Sequence, residues 1–99
     1  MYTVIRRYEG VTDTAEAVRR ASAEFGPMLA DRAGFQGYYV LDAGDGVIAS
    51  ITVFETQEAA EDSTTAAKGW VAERMAELAP NPPQVTAGMA TGVAAPAHA

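Results

Sequence analysis

The chain has 99 residues, 48% of them hydrophobic and 20% charged, which indicates one small globular domain with a single core. Its 13 acidic and 7 basic residues give a formal net charge of -6, which argues against nucleic acid as a partner, and the absence of cysteine excludes disulfides and thiolate chemistry. Paired arginines near the N-terminus are not typical of a signal peptide and no apolar run reaches membrane-spanning length, so we expect a soluble, cytoplasmic protein that does not bind membranes.

The first half of the chain predicts a strand followed by a helix. Residues 1–8 are rich in β-branched and aromatic side chains, as is typical of a strand. A helix is predicted over residues 14–29, where apolar residues recur at helical spacing, and Asp13 is placed to cap its N-terminus. Because Pro27 lies inside this pattern, we expect a kink or a break near residues 25–26.

The second half predicts a hairpin, a helix and a final strand. Two strands flank the sequence AGDG at residues 43–46, whose glycines and aspartate suit a tight turn. A second helix is predicted from the N-cap Thr56 to about Ala79, where the sequence PNPP ends it. A weaker strand, QVTAGMATGV, follows, so that the domain covers residues 1–92 and an alanine- and proline-rich tail covers residues 93–99.

The order β-α-β-β-α-β predicts an α+β, ferredoxin-like fold with a four-stranded antiparallel sheet. Such a fold places both helices on one face of the sheet and leaves the other face bare. The two hairpin strands nevertheless carry apolar residues on both of their faces. A monomer would therefore expose an unusually large hydrophobic patch, and we expect a homodimer in which two sheet faces close on each other.

The sequence GFQGYYVLDAGDGVIASITVFETQEAAEDSTTAAKGWV, residues 34–71, resembles the hairpin and second helix of antibiotic biosynthesis monooxygenase-like (ABM) domains. The shared features are a Gly-Phe pair entering the second strand, an aromatic pair, an acidic turn, a Phe-Glu pair before the second helix and a Trp within it. The resemblance extends to Gly92 and implies a dimeric α+β barrel. Because the family includes cofactor-free oxygenases, haem degraders, isomerase-like enzymes and proteins without known activity, it does not select one chemistry.

Two departures from the family's patterns concern cofactors. The haem-degrading members carry a His after the Trp of the second helix and an Asn on the first strand. This chain has neither, because its only His is His98 and its only Asn is Asn81. No spaced set of His or carboxylate ligands indicates a metal site either. We therefore expect neither a cofactor nor a metal.

Trp70 is the leading candidate for a ligand-binding residue. The helical wheel places it at the flank of the apolar stripe of the second helix, where an indole can line a pocket, pack at the rim of the core or contact another subunit. The resemblance to cofactor-free monooxygenases implies the pocket. Arg74 lies one turn further along the helix and is predicted to share the wall with Trp70, where its cation would meet an anionic or enolate-like ligand.

The opposite wall is predicted to come from the strands. Arg6 and Arg7 are consecutive and point to opposite faces of a central strand, so one of them lies on a covered side and needs a carboxylate or an anionic ligand. Tyr2, Tyr8, Tyr38 and Tyr39 could supply a phenol, although strand tyrosines are more often core or interface residues. Tyr38 and Tyr39, which alternate in the same way as the arginines, are the two predicted for this wall. The sequence leaves the choice within each pair open.

Two functions therefore remain open. One is a cofactor-independent monooxygenase that acts on a small aromatic or polyketide-like substrate. The other is a non-catalytic dimeric module, stress-related or binding a small molecule of unknown identity.

Overall fold

The computed structural model describes residues 1–94 of the chain. Its elements in chain order are β1 (Tyr2–Tyr8), α1 (Thr14–Arg20), a π-helical segment (Ala21–Phe25), α2 (Gly26–Ala30), β2 (Phe35–Gly44), β3 (Val47–Phe54), α3 (Gln57–Arg74) and β4 (Gln84–Met89). Most of the predicted tail, including His98, lies outside the described residues. Within residues 1–94, no helix has the length and apolarity needed to cross a membrane.

The four strands form one antiparallel sheet in the order β2-β3-β1-β4. The predicted α+β, ferredoxin-like fold is confirmed, and β1 occupies an interior position as expected. The β2–β3 hairpin is also confirmed. Its turn needs left-handed backbone angles, which Gly44, Asp45 and Gly46 adopt with φ of 79°, 53° and 75°.

The first helical region continues through Pro27 instead of breaking. Asp13 caps it as predicted, because its side chain accepts a hydrogen bond from the Glu16 N–H at 3.1 Å. Immediately before the proline the helix widens into the π-helical segment, in which the Gly26 N–H donates to the Ala21 carbonyl five residues earlier. A wider turn accommodates a proline ring that an ordinary α-turn would force against the preceding carbonyls.

The second helical region, α3, is shorter than predicted. Thr56 caps its N-terminus, but the helix ends at Arg74 and not near Ala79, because Met75 leaves the helical conformation with φ -128° and ψ -1°. The N–H groups of Leu78 and Ala79 both donate to the Met75 carbonyl, at 3.0 and 2.8 Å. This tighter turn buries the side chains of Met75 and Leu78 against the core. The last strand also ends earlier than the sequence predicts, at Met89.

The helices cover one face of the sheet, and the core lies between them. Its largest contributors are Tyr8, Phe25, Leu29, Ile48, Phe54 and Trp70. The other face carries no helix of the described residues 1–94, and we call it the open face. It is formed by Thr3, Ile5 and Arg7 of β1, Gly37, Tyr39 and Leu41 of β2, and Val47, Ala49, Ile51 and Val53 of β3.

Candidate functional site

A small cavity lies between the helices and the covered face of the sheet. It has a volume of about 30 Å³, which is enough to hold a water molecule. Apolar side chains make most of its wall, and its polar groups come from the sheet. The site residues that line it are Arg6, Tyr8, Phe25, Tyr38, Ser50 and Trp70.

Arg6 is the least expected of these residues, because it is a cation that is only 5% exposed. Its Nη2 donates to the Oγ1 of Thr64 at 2.6 Å, and that hydroxyl donates in turn to the Ala60 carbonyl at 3.1 Å. No carboxylate in residues 1–94 forms an ion pair with Arg6. Burial lowers the pKa of Arg6, although the neighbouring Tyr8 and Tyr38 act in the opposite direction.

Two phenols share the cavity wall with this guanidinium. Burial raises the pKa of Tyr38 to about 12, and burial also raises the pKa of Tyr8. Both side chains are therefore neutral at pH 7 and can donate hydrogen bonds. One cation and two phenol donors on apolar walls form a setting that can stabilise an oxyanion, such as a phenolate or an enolate.

Trp70 packs more deeply than the helical wheel predicts. Its side chain is on the buried stripe of α3 together with Ala60, Ser63 and Ala67, and it is 9% exposed. The indole lies 5.3 Å from the Phe25 ring, which in turn meets Tyr38 edge to face at 5.7 Å. Trp70 therefore belongs to the core and also borders the cavity.

Arg74 does not line the cavity with Trp70. Its guanidinium makes a two-pronged contact with Glu24, with Nε to Oε1 at 2.7 Å and Nη2 to Oε2 at 3.1 Å. Half of its side chain is exposed to solvent. Arg74 joins the end of α3 to the π-helical segment, so its placement is that of a surface ion pair.

The structure also separates the members of each undecided pair. Arg6 and Tyr38 face the cavity, whereas Arg7 and Tyr39 lie on the open face. Arg7 pairs with Glu9 at 3.3 Å, and Tyr39 is 64% exposed.

Tyr8, which the sequence offers as a phenol donor, and Thr64, which the sequence does not single out, both lie beside Arg6. Tyr8 lies two positions after Arg6 on β1, so the two-residue period of a strand could have placed it on the same face. Thr64 holds Arg6 across 58 residues of sequence, and no local pattern indicates that contact.

A larger groove adjoins the cavity, between α3 and β4. It has a volume of about 230 Å³ and shares Arg6, Tyr8, Ala67 and Val71 with the cavity. Its other residues are Thr64, Lys68, Ala72, Pro83 and Val85. Arg6 thus borders two neighbouring spaces, a cavity that can hold a water molecule and a groove the size of a small ligand.

Comparisons with known proteins agree with this fold. The chain has no significant sequence match among curated proteins. Similar solved structures include a monooxygenase from Streptomyces coelicolor, ActVA-Orf6, in complex with nanaomycin D, which is 14% identical with a TM-score of 0.75 and 97% and 92% of the two chains covered. SnoaB of Streptomyces nogalater, a cofactor-independent oxygenase solved in a mutant form, is 19% identical with a TM-score of 0.72, and 93% and 94% are covered.

A third similar structure is NE2512 of Nitrosomonas europaea, a protein of unknown function, at 17% identity and a TM-score of 0.75, with 97% and 94% of the chains covered. At these identities the likeness shows the fold. The family is shown by sequence, because the model of the antibiotic biosynthesis monooxygenase (ABM) family matches residues 1–70, more than half of the chain. The chain therefore belongs to the antibiotic biosynthesis monooxygenase family.

Proposed function

We propose that this protein is a cofactor-independent monooxygenase that acts on a small aromatic or polyketide-like substrate bound as its anion. The observation that carries the proposal is Arg6, a buried guanidinium with no carboxylate partner in residues 1–94. A buried cation normally has an anionic partner, because the removal of one ion from water costs on the order of several kcal/mol. An anionic substrate supplies that partner.

The proposed reaction needs a source of electrons for the reduction of dioxygen. Without a redox cofactor, the substrate itself must reduce dioxygen, and an ionised phenol or enol gives up electrons more readily than its neutral form. Arg6 lowers the cost of ionisation, and the phenols of Tyr8 and Tyr38 donate hydrogen bonds to the anionic oxygen. The proton that the substrate loses on ionisation passes to solvent.

The bonds can be followed on 1-naphthol. Its anion forms a bond from the ring carbon opposite the oxygen to dioxygen, and protonation gives a hydroperoxide. Loss of water then leaves 1,4-naphthoquinone, so that one oxygen atom enters the product and the other leaves as water. The cavity of about 30 Å³ has room for the anionic oxygen beside Arg6, Tyr8 and Tyr38, while the ring system needs the adjoining groove of about 230 Å³.

The fold neighbours support this reaction class without defining a substrate. SnoaB is a cofactor-independent oxygenase, and ActVA-Orf6 is a monooxygenase whose structure contains nanaomycin D. They share the overall fold with this chain, and the geometry around Arg6 supplies the local argument.

Oxygen uptake with 1-naphthol tests the proposal. We expect wild-type protein to consume one dioxygen for each 1,4-naphthoquinone formed and Arg6→Met to lose about 100-fold in rate, as expected for loss of an oxyanion-stabilising donor. Arg7→Met, on the same strand but on the open face, should keep the wild-type rate. Arg6→Met should stay folded, because it replaces an unpaired buried charge by an apolar side chain. Equal rates for the two variants would refute the role of Arg6.

The second candidate is a non-catalytic module, stress-related or not, that binds a small anion. One observation favours it: the residues that line the cavity include no His, Asp or Glu that could act as a general base. This candidate predicts that 1-naphthol binds in an Arg6-dependent way and is recovered unchanged.

We further propose that the protein is a homodimer formed through the open face. Ile5, Tyr39 and Leu41 are large hydrophobic residues on this face, and each is at least 40% exposed. Soluble monomers rarely expose contiguous apolar patches of this kind.

A further inference from the structure

We propose that the groove between α3 and β4 contains a carboxylate subsite at Lys68, so that the preferred ligand is an aromatic acid with its carboxylate at Lys68 and its ionisable oxygen at Arg6. This inference rests on the proposed function, because it assigns the oxygen of the ligand to Arg6. It adds the ligand class and a residue that determines specificity.

The groove has apolar walls with two cations. Ala67, Val71 and Val85 contribute to the apolar lining, and Arg6 and Lys68 supply the positive charge. Neither cation forms an ion pair within residues 1–94. Of the five other arginines, Arg7, Arg19, Arg20 and Arg74 pair with glutamates, and Arg32 forms no ion pair within these residues.

Lys68 also lacks a charged neighbour on its own helix face. The positions three and four residues away are Thr64, Thr65, Val71 and Ala72, none of which is charged. In a chain with 13 acidic residues and a net charge of -6, the residues that line the groove include two cations and no acidic residue. The positive charge in the groove attracts an anionic ligand, although the net charge of the protein is negative.

Thr64 is a neighbour of both cations. Thr64 accepts the hydrogen bond from Arg6 and lies one helical turn before Lys68, on the same face of α3. A ligand that spans the groove therefore meets Arg6 at its inner end and Lys68 further along α3. The lysine stem can lie against the apolar wall while its ammonium group stays in water.

The dimensions restrict the ligand further. Ligand pockets for drug-sized molecules usually measure about 300–1,000 Å³. The groove, at about 230 Å³, is smaller and suits one or two aromatic rings. A hydroxynaphthoate, with a phenol at one end and a carboxylate at the other, has the required chemistry.

Calorimetric titration with 6-hydroxy-2-naphthoate and its methyl ester tests the subsite. Both compounds carry the phenol, and only the first carries the carboxylate. Wild-type protein should bind the acid about fivefold more tightly, the advantage expected of one partly exposed ion pair. Lys68→Met should bind acid and ester equally, while Lys68→Arg should keep the preference.

A second readout locates the contact. Lys68 is the only lysine in the sequence, so reductive methylation with ¹³C-formaldehyde labels one side chain besides the N-terminus. Its NMR signal should shift during titration with the acid and stay in place with the ester.

The outcomes separate this inference from the proposed function. If Arg6→Met weakens binding of both compounds and Lys68→Met leaves the acid-to-ester ratio unchanged, the carboxylate subsite is wrong and the role of Arg6 stands. If neither compound binds to the wild type, or if Arg6→Met binds both as tightly as the wild type does, the anion site at Arg6 is itself refuted.

Discussion

Arg6 and Arg7 show that a shift of one residue along a strand places an arginine on the buried face or on the solvated face of the sheet. Both are on β1, but Arg6 faces the helices and Arg7 faces away from them. Arg7 has a glutamate partner, while the hydrogen-bond partner of Arg6 within residues 1–94 is the hydroxyl of Thr64. Retention of an unpaired charge at a buried position is a cost to stability, and such costs are typical of functional sites.

Trp70 is predicted to be a structural residue as well as a cavity-lining one. It is 9% exposed and stacks near Phe25, so Trp70→Ala should lower the free energy of unfolding by about 3–5 kcal/mol. Trp70→Phe keeps an aromatic ring and should cost less. Urea unfolding followed by circular dichroism measures both values. A loss below about 1 kcal/mol for the alanine variant would mean that the indole contributes little to the core.

These values decide which variant can test ligand binding. A small domain has only about 5–15 kcal/mol of stability, so Trp70→Ala could lose binding through partial unfolding. Trp70→Phe is the suitable variant for binding, with the unfolding curve as its control.

At the scale of the helices, α3 contains a glycine that packing does not require. Apart from its chain neighbours and the adjacent backbone of α3, a Cβ at Gly69 would meet no atom of the described residues within 4 Å. Because glycine disfavours a helix interior by about 1 kcal/mol relative to alanine, Gly69→Ala should raise the free energy of unfolding by up to that amount. Gly46→Ala is the contrasting variant, since Gly46 has φ 75° and its Cβ would lie 3.2 Å from the Val11 carbonyl. It should destabilise the protein, and thermal unfolding should rank the two variants on opposite sides of the wild type.

The helices also carry ion pairs that depend on pH. Hydrogen bonds from Arg19 and Arg20 lower the pKa of Glu16 from 4.5 to about 2. Hydrogen bonds from Arg74 and Arg20 likewise lower the pKa values of Glu24 and Glu77. Since the folded pKa of Glu16 is depressed, its stabilisation is complete above pH 4.5 and is lost as the pH falls towards 2.

Urea unfolding between about pH 6 and pH 2 tests this dependence. Glu16→Gln should be less stable than the wild type near the upper limit, and the difference should shrink as the pH falls towards the lower one. Because the pair is partly exposed to solvent, added salt should also reduce the difference at the upper limit. A difference that is independent of both pH and salt would show that the charge of Glu16 is not its cause.

At the scale of the whole molecule, the open face predicts self-association. Ile51 lies within it, opposite Ile5 of β1 and Tyr39 of β2 in the sheet register. Ile51→Lys should therefore dissociate the dimer, whereas Met28→Lys, at an exposed apolar position on α2, should leave it intact. Sedimentation equilibrium at micromolar concentration distinguishes these states. A stable interface should bury more than about 1,000 Å², and a monomeric wild type would refute it.

Local sequence signals were sufficient to predict the order of the elements and the hairpin. They are the strand-forming residues in β1, the glycines and aspartate of the turn at residues 43–46, and the caps Asp13 and Thr56. These signals depend on neighbouring residues, so one sequence is enough to detect them. The same local periodicity showed that Arg6 and Arg7 must face opposite sides, without choosing between the sides.

Which residues meet was settled by the packing of the elements in three dimensions. The rotation of α3 against the sheet buried Trp70 beside Phe25, and Glu24, 50 residues earlier in the chain, engaged Arg74 outside the cavity. The contact between Arg6 and Thr64 joins residues 58 positions apart. Such contacts depend on how separate elements pack, and strand or helix periodicity does not specify the partner of a side chain across that distance. The site around Arg6 is therefore a property of the packed fold.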